Sequence, residues 1–312
     1  VVNPGMEPEL EPFSVEWKIG SRREKLFLPT SPELALKKMM AQGLSDIFEI
    51  KSVFRNEELT SLHEPEFLML EWYRSFSDLE LISQDLTELV NFLISFTHLT
   101  QSDKDPGNHL SADAPQKANQ SIVIQKYTVA ELFEQQLGYK LTPETSREQL
   151  LYWAKELKLI DVSIGQSEQK NDFRDFSHWD WNNLFYLIWV AKIEPHLPIE
   201  PFLLTNYPPS QAALARINEE GWADRLEFYW NRIEIANAFH ELNDPQEQRL
   251  RFERDILKRK EYGRTLLSID EEFMRALEQG LPPSGGIALG LERLFMALFN
   301  VCEIKNVRRF RK

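Results

Sequence analysis

Cys302 is the only cysteine among 312 residues. A lone thiol permits neither an internal disulfide nor a cysteine-rich metal site, so stability must come from a hydrophobic core, and the expected compartment is reducing, the cytoplasm. Long uncharged apolar runs are missing as well, which excludes a helix spanning a bilayer. Positive charge is scarce: 36 lysines and arginines stand against 49 aspartates and glutamates, a formal net charge of −13. That balance argues against broad adhesion to nucleic acid or anionic membrane and suits a basic partner. Residues 1–13 are acidic and contain proline, without the positive start and apolar stretch of a secretory signal. The first residue is Val1, not Met, so the chain reads as a fragment or a processed form. There is no internal repeat.

The length permits one large mixed domain or two smaller ones. Hydrophobic periodicity predicts a helix over residues 32–42, starting after Ser31, and a long amphipathic helix over 77–96. Residues 100–120 carry no sustained apolar period and read as an exposed loop. From 128 to 196 the period is helical, including 146–157 and the aromatic-rich 179–193, whose rings are read as core. This makes a helical insertion of about 121–200. Strand character returns over 201–240, followed by helical runs at 244–261 and 269–279, a glycine-rich strand at 284–290 and a closing helix from Leu291. Hairpins with helices grouped between them predict an α+β fold on a mainly antiparallel sheet, not a parallel doubly wound one.

Two strands joined by a charged loop carry the densest chemistry: Phe54-Arg55-Asn56-Glu57-Glu58, then Pro65-Glu66-Phe67-Leu68-Met69-Leu70-Glu71-Trp72-Tyr73. Alternation places Glu49, Lys51, Val53 and Arg55 on one face of the first strand, leaving Phe48, Ile50, Ser52 and Phe54 for a core. In the second, Phe67, Met69, Glu71 and Tyr73 share a face, so a ring, a carboxylate and a phenol project together beside Arg55. Further on, a tight two-residue turn at Trp230-Asn231 would set Glu227 opposite Glu234. Two facing carboxylates repel unless a proton or a cation such as magnesium lies between them; two exposed glutamates on a solvated hairpin are the alternative. Strict alternation puts Asn237, Phe239 and Glu241 on one face and Glu234 on the other, so a bulge near Ile235 or Ala236 is needed if all line one pocket. His240, of opposite parity, reads as a core or supporting histidine. In Pro283-Ser284-Gly285-Gly286-Ile287-Ala288-Leu289-Gly290, small residues recur on one parity: something approaches the backbone closely there, whether a nucleotide or a packed helix.

Phe-Arg-Asn-Glu, then His63-x-Pro65-Glu66-Phe67 and Glu71-x-Tyr73, resembles motif 2 of class II lysyl-tRNA synthetases, here spanning about 47–73. The glycine-rich strand followed by Leu291-Glu292-Arg293 resembles their motif 3, about 284–299. With Thr30-Ser31-Pro32-Glu33, Tyr207-Pro208-Pro209-Ser210-Gln211-Ala212 and the run 234–244, nearly the whole chain resembles the elongation factor P lysine ligases. These are bacterial paralogues of lysyl-tRNA synthetase that activate (R)-beta-lysine and attach it to a lysine of elongation factor P.

The resemblance implies a single catalytic domain over 1–312 that uses ATP and magnesium. It implies that Arg55 and Arg293 are catalytic, and that Arg55, Asn56, Glu57, Glu64, Phe67, Glu234, Ile235, Gly290 and Arg293 hold ATP, the purine lying between Phe67 and Arg293. Glu227 and Glu234 would hold magnesium, while Ser31, Pro32, Glu33, Glu71, Tyr73, Asn237, Glu241 and Ala288 would form the site of a lysine-like substrate. Elongation factor P is the implied acceptor.

Departures from the lysyl-tRNA synthetases support that choice and also mark its limits. No anticodon-binding barrel precedes the catalytic part, which weighs against tRNA, and Ala288 stands where those enzymes carry glycine. Glu64 replaces the usual asparagine, and Leu62 a basic or aromatic residue. Motif 1 survives only as its tail, Val1-Val2-Asn3-Pro4; the helix before it, which builds the dimer interface, is absent, so a homodimer is expected if the full protein has it. The alternatives are a truncated lysyl-tRNA synthetase and a silent lysine-binding paralogue.

Overall fold

The computed structural model describes residues 10–102, 122–160 and 179–307. Outside that range lie most of the loop expected at 100–120, the motif 1 tail and residues 161–178 of the insertion. The chain divides into two compact units, one of residues Val1–Ile124 with Ile233–Lys312, the other Gln125–Arg232.

In the first unit an antiparallel hairpin, β1 (Ser14–Ile19) and β2 (Arg22–Phe27), turns at Gly20. Four strands then lie in the order β3 (Ile47–Phe54), β4 (Glu66–Ser75), β9 (Ser284–Gly290) and β8 (Ile233–His240), each antiparallel to the next. Its helices are α1 (Glu33–Ala41), α2 (Leu79–Ser102), α6 (Pro245–Glu261), α7 (Glu271–Gly280) and α8 (Leu291–Phe299). Helix starts follow local chemistry. Asp244 accepts from the backbone N–H groups of Gln246 and Glu247 with Pro245 in the first turn, and Asp270 caps α7 in the same way. The expected start after Ser31 falls one residue later, at Glu33, with Pro32 as N-cap.

The second unit holds β5 (Gln125–Thr128), β6 (Phe202–Tyr207) and β7 (Ala223–Trp230), with helices α3 (Val129–Leu137), α4 (Arg147–Glu156) and α5 (Trp181–Ile188). Thr128 opens α3 with a capping box. Phe133, Phe185 and Trp189 stack in its core; of the rings at 179–193 read as core, Phe185 and Trp189 are buried, Trp179 and Trp181 pack against the core in part, and Tyr186 is 47% exposed. Within the stretch 121–200 read as helical the short strand β5 also forms, and the unit runs on to Arg232 through β6 and β7, in the range where strands were expected.

One expectation fails on β3. Phe48 and Ile50, assigned to a core, are 72% and 55% exposed. The helices on that side, α2 and α8, pack on β4, β8 and β9. Trp72, directly opposite Phe48 in the ladder, is covered and bonds Asp85 of α2, whereas β3 lies one strand further out, at the edge of the array.

The end of α6 is fastened by Arg259, which is fully buried. Its Nε donates to Thr265 O (2.8 Å), Nη1 to Leu10 O (2.6 Å) and Nη2 to Glu11 (3.0 Å). The segment at Leu10–Glu11 is thereby held beside Asn56, whose N–H donates to Glu11 O at 2.7 Å.

Candidate active site

Strand register assembles the floor. Glu71 lies opposite Ala288, and Ala288 opposite Asn237; one row along, Tyr73 faces Gly286, and Gly286 faces Phe239. The ladder between β8 and β9 is regular from Ala236 to His240, so Asn237 and Phe239 share the face of Glu71 and Tyr73 without a bulge in that stretch. Glu234 lies beyond the last pair.

Over this floor sits a buried cluster. Tyr73 OH donates to Glu71 Oε1 at 2.5 Å, while Glu71 Oε2 is buried with no hydrogen-bond partner. From α1, Glu33 and Lys37, one helical turn apart, reach the same place: Lys37 Nζ is 2.6 Å from Glu33 Oε1 and 2.5 Å from Glu241 Oε2. Glu33 and Glu241 thus share one internal ammonium, with Glu71 in the same cluster. Burial, then the charge of Glu33, holds the Glu71 carboxyl well above the usual carboxylate range. Burial likewise pushes Glu241 up to about 8, against the pull of Lys37. For Lys37, burial lowers the proton affinity, yet the charges of Glu241 and Glu33 outweigh it and the net shift is upward.

A pH dependence of stability follows from Glu241. Its folded-state value lies above its ordinary 4.5, so the folded protein retains a proton that the unfolded chain releases, and that contribution is lost as pH rises from about 4.5 through 8. Calorimetry should therefore give a lower Tm at pH 8.5 than at pH 5.5, with a smaller difference in Glu241→Gln.

The glycines of β9 are required for two different reasons. A Cβ on Gly286 would stand 2.2 Å from Glu241 Oε1 and 2.3 Å from the Tyr73 ring, and one on Gly285 2.5 Å from Ile82 of α2. Close approach is therefore from the pocket on one face and from a helix on the other. Gly290 differs: a Cβ there would make only ordinary contacts, at 3.8 Å with the Arg293 side chain and with Ile235 O, leaving an unstrained cradle at the start of α8.

Near that cradle two arginines gather. The Arg55 guanidinium lies over the Phe67 ring at 5.2 Å from the centroid, and its Nε is buried without a partner. Arg293 donates from Nη1 to Glu234 O (2.8 Å) and from Nη2 to His63 Nε2 (2.6 Å). Burial, followed by the charges of Arg293 and Arg55, lowers His63 to about 4. The ring is thus neutral at pH 7, and its Nε2 can accept only in the tautomer that carries the proton on Nδ1, 2.7 Å from Thr60 Oγ1. Both oxygens of the buried Glu292 carboxylate accept from Leu68 N–H at 3.1 and 3.0 Å. The bond falls where β9, whose last pair is Gly290 with Met69, no longer reaches β4.

The profile of the family described as tRNA synthetases class II (D, K and N) matches residues 3–312. The chain belongs to this class II family. Similar curated proteins include the elongation factor P (R)-beta-lysine ligase of Haemophilus influenzae strain PittGG, 33% identical over 306 residues, or 96% of this chain and 82% of the relative. The same name is carried by a protein of Mannheimia succiniciproducens, 34% identical with the same coverage. A third, from Pseudoalteromonas translucida, is 36% identical over 92% of this chain and 78% of its own length.

In this class II chain the expected residues separate into groups. Glu33, Glu71, Tyr73 and Glu241 converge, with Asn237 and Ala288 beside them on the floor and Ser31 and Pro32 at the entry to α1. Arg55 and Phe67 meet, as do Arg293 and Glu234, while Gly290 adjoins Arg293; Ile235 is buried in β8 and Glu64 in the β3–β4 connection. Glu57 is not brought in. It is exposed, with φ at +66°, and pairs with Arg264 at 3.3 Å.

The turn premise for the magnesium pair is corrected. The left-handed residues are Asn231 (φ +52°) and Arg232 (φ +63°), between the end of β7 at Trp230 and the start of β8 at Ile233, so the turn falls one residue later than Trp230-Asn231. Glu227 is buried within its own unit, accepting from Arg225 Nη2 at 2.5 Å and from Tyr229 OH at 2.7 Å. Lys37 was the residue that sequence reading missed. The available signal was Glu33 four residues ahead of it on a helix that enters the site, a spacing equally common on solvated helix faces.

Proposed function

We propose that this chain activates a lysine-like amino acid, (R)-beta-lysine or lysine, as its adenylate and transfers the acyl group to a lysine side chain of elongation factor P, acting in the cytoplasm as one catalytic domain over 1–312. The observation that carries this reading is the buried carboxylate cluster, with Glu71 Oε2 unpartnered, on the same strand that places Phe67 beside Arg55. Such a pocket is costly without a cation and accommodates an ammonium ligand well. The names of the similar proteins point the same way.

In the first step a carboxylate oxygen of the substrate attacks the α-phosphorus of ATP and pyrophosphate leaves. In the second, the acceptor amine attacks the acyl carbonyl and AMP leaves. The chain supplies position and charge, with no protein nucleophile. Arg55 would take the α-phosphate and the acyl carbonyl, and Arg293 the purine and the γ-phosphate. The cradle at Gly290 and the unpartnered Arg55 Nε fit a phosphate-bearing ligand. Magnesium, which neutralises phosphate charge, would arrive with ATP, and Glu234, whose Oε2 lies 3.9 Å from Arg293 Nη1, is a carboxylate that could assist it.

Incubating the protein with ATP, each lysine isomer, and either elongation factor P or tRNA, then measuring the mass added to each acceptor, tests the proposal. Mass on tRNA alone would establish the synthetase reading, and no pyrophosphate exchange with either isomer would establish a silent paralogue. The isomer preference should respond to Ala288, between Glu71 and Asn237 in the sheet. Ala288→Gly is expected to shift the kcat/KM ratio toward alpha-lysine by about 1 to 3 kcal/mol, the value of a methyl-sized change in a pocket. An unchanged ratio would assign isomer selection to other residues. A homodimer belongs to the same proposal: exposed Phe48 and Ile50 on an edge strand are an apolar face suited to a second copy, and light scattering on the full protein tests it.

A further inference from the structure

We infer that Lys37 is a positioning residue of the amino-acid pocket, its buried ammonium holding Glu33 and Glu241 in place so that they can receive a single incoming amine. The inference rests on the amino-acid activation proposed above. Helix α1 carries two consecutive lysines with different surroundings. Lys38 is partly solvated and pairs with Asp270 (3.0 Å) and Glu272 (3.5 Å) of α7, as surface lysines do. Lys37 is 1% exposed, and its ammonium lies between carboxylates from two separate segments, Glu33 of α1 and Glu241 just after β8. A buried ammonium is costly to desolvate, and ion pairs built that way are poor sources of stability compared with apolar packing, so stability alone is a weak reason for this one.

The groups facing the cluster are few. From β4 come Glu71 and Tyr73, whose ring lies 6.0 Å from Lys37 Nζ. On β3, Glu49 and Lys51 pair with each other at 3.4 Å, and at the start of α7 Lys38 takes Asp270 and Glu272 while Arg249 takes Glu271. Lys37 is therefore the cation that Glu33 and Glu241 share. Without it, Glu33 and Glu241 would lose the cation between them, Glu241 would hold its proton more firmly, and that proton would compete with the incoming amine. The competition would ease as pH rises. A purely structural pair would affect melting but not this pH profile.

The test uses Lys37→Met, Lys37→Arg and the double variant Lys37→Met with Glu241→Gln, which deletes one charge of each sign. KM for lysine and for ATP is measured by pyrophosphate exchange from pH 6.5 to 9, together with the lysine Kd by calorimetry in the absence of ATP. Lys37→Met is expected to raise the lysine KM by about tenfold or more at pH 7, as one unit of carboxylate shift implies. The ATP KM should hold steady, the deficit should narrow by pH 9, and Lys37→Arg and the double variant should recover part of the loss. A pH profile parallel to wild type, equal rises in both constants, or a double variant no better than the single would overturn the inference. If Lys37→Met does not fold, Lys37→Gln takes its place: a raised lysine KM that narrows by pH 9 with an unchanged ATP KM supports the inference, and a pH profile parallel to wild type refutes it. Wild-type protein that binds lysine without exchange would defeat the activation proposal while leaving the Lys37 test in force; no lysine binding at all would defeat both.

Discussion

Arg55→Ala is expected to lower lysine-dependent pyrophosphate exchange by about 100- to 1000-fold, the cost of removing one preorganised contact to developing charge. The fold should survive. The structural contribution of position 55 runs through its backbone, whose N–H donates to Pro65 O at 2.9 Å, whereas the side chain stacks on Phe67 and leaves Nε unpartnered. Exchange near the wild-type rate, with an unchanged melting curve, would remove Arg55 from the proposed chemistry. A collapsed melting curve would show that the guanidinium supports the sheet instead.

The second large effect is expected at Gly286. A methyl there would lie 2.2 Å from Glu241 Oε1 and 2.3 and 2.6 Å from two Tyr73 ring atoms, and both side chains are almost fully buried. Neither can yield without disturbing the other, because both border the Lys37–Glu241 and Glu71–Tyr73 contacts. Gly286→Ala should cost about 1 to 3 kcal/mol of stability through overpacking and should abolish amino-acid use. Gly290→Ala is the control. With only ordinary contacts at 3.8 Å for the added methyl, it should melt like wild type and show any impairment in the ATP constant. Equal melting temperatures for the two variants, with the amino-acid constant unchanged in Gly286→Ala, would contradict this account.

Much of the site was legible because β-strands have a fixed period of two. Once residues 47–54 and 66–75 are read as strands, Glu71 and Tyr73 must share a face, and small residues at 286 and 288 must admit something close. Period alone does not say which face is covered. Phe48 and Ile50 have the pattern of core residues, yet coverage depends on where α2 and α8 land, a tertiary fact. Nor does it locate a turn to the residue: Asn231 suits a left-handed position, but the second such position went to Arg232, which has no sequence preference for it. Lys37 stayed hidden for a third reason, since its partner Glu241 lies 204 residues away, from 37 to 241 in the sequence.

The Glu292–Leu68 contact bears on substrate length. By extending the bonding of β4 past the end of β9, it ties the helix that carries Arg293 to the strand that carries Phe67, Glu71 and Tyr73. The two ends of the reaction are then gauged along one rod: at the rise of an extended strand, Phe67 and Glu71 are separated by roughly 13 Å. On the proposed reading, with the nucleotide at Phe67 and the substrate amine at Glu71, a methylene chain one unit too short or too long would meet a nucleotide end held to the same strand.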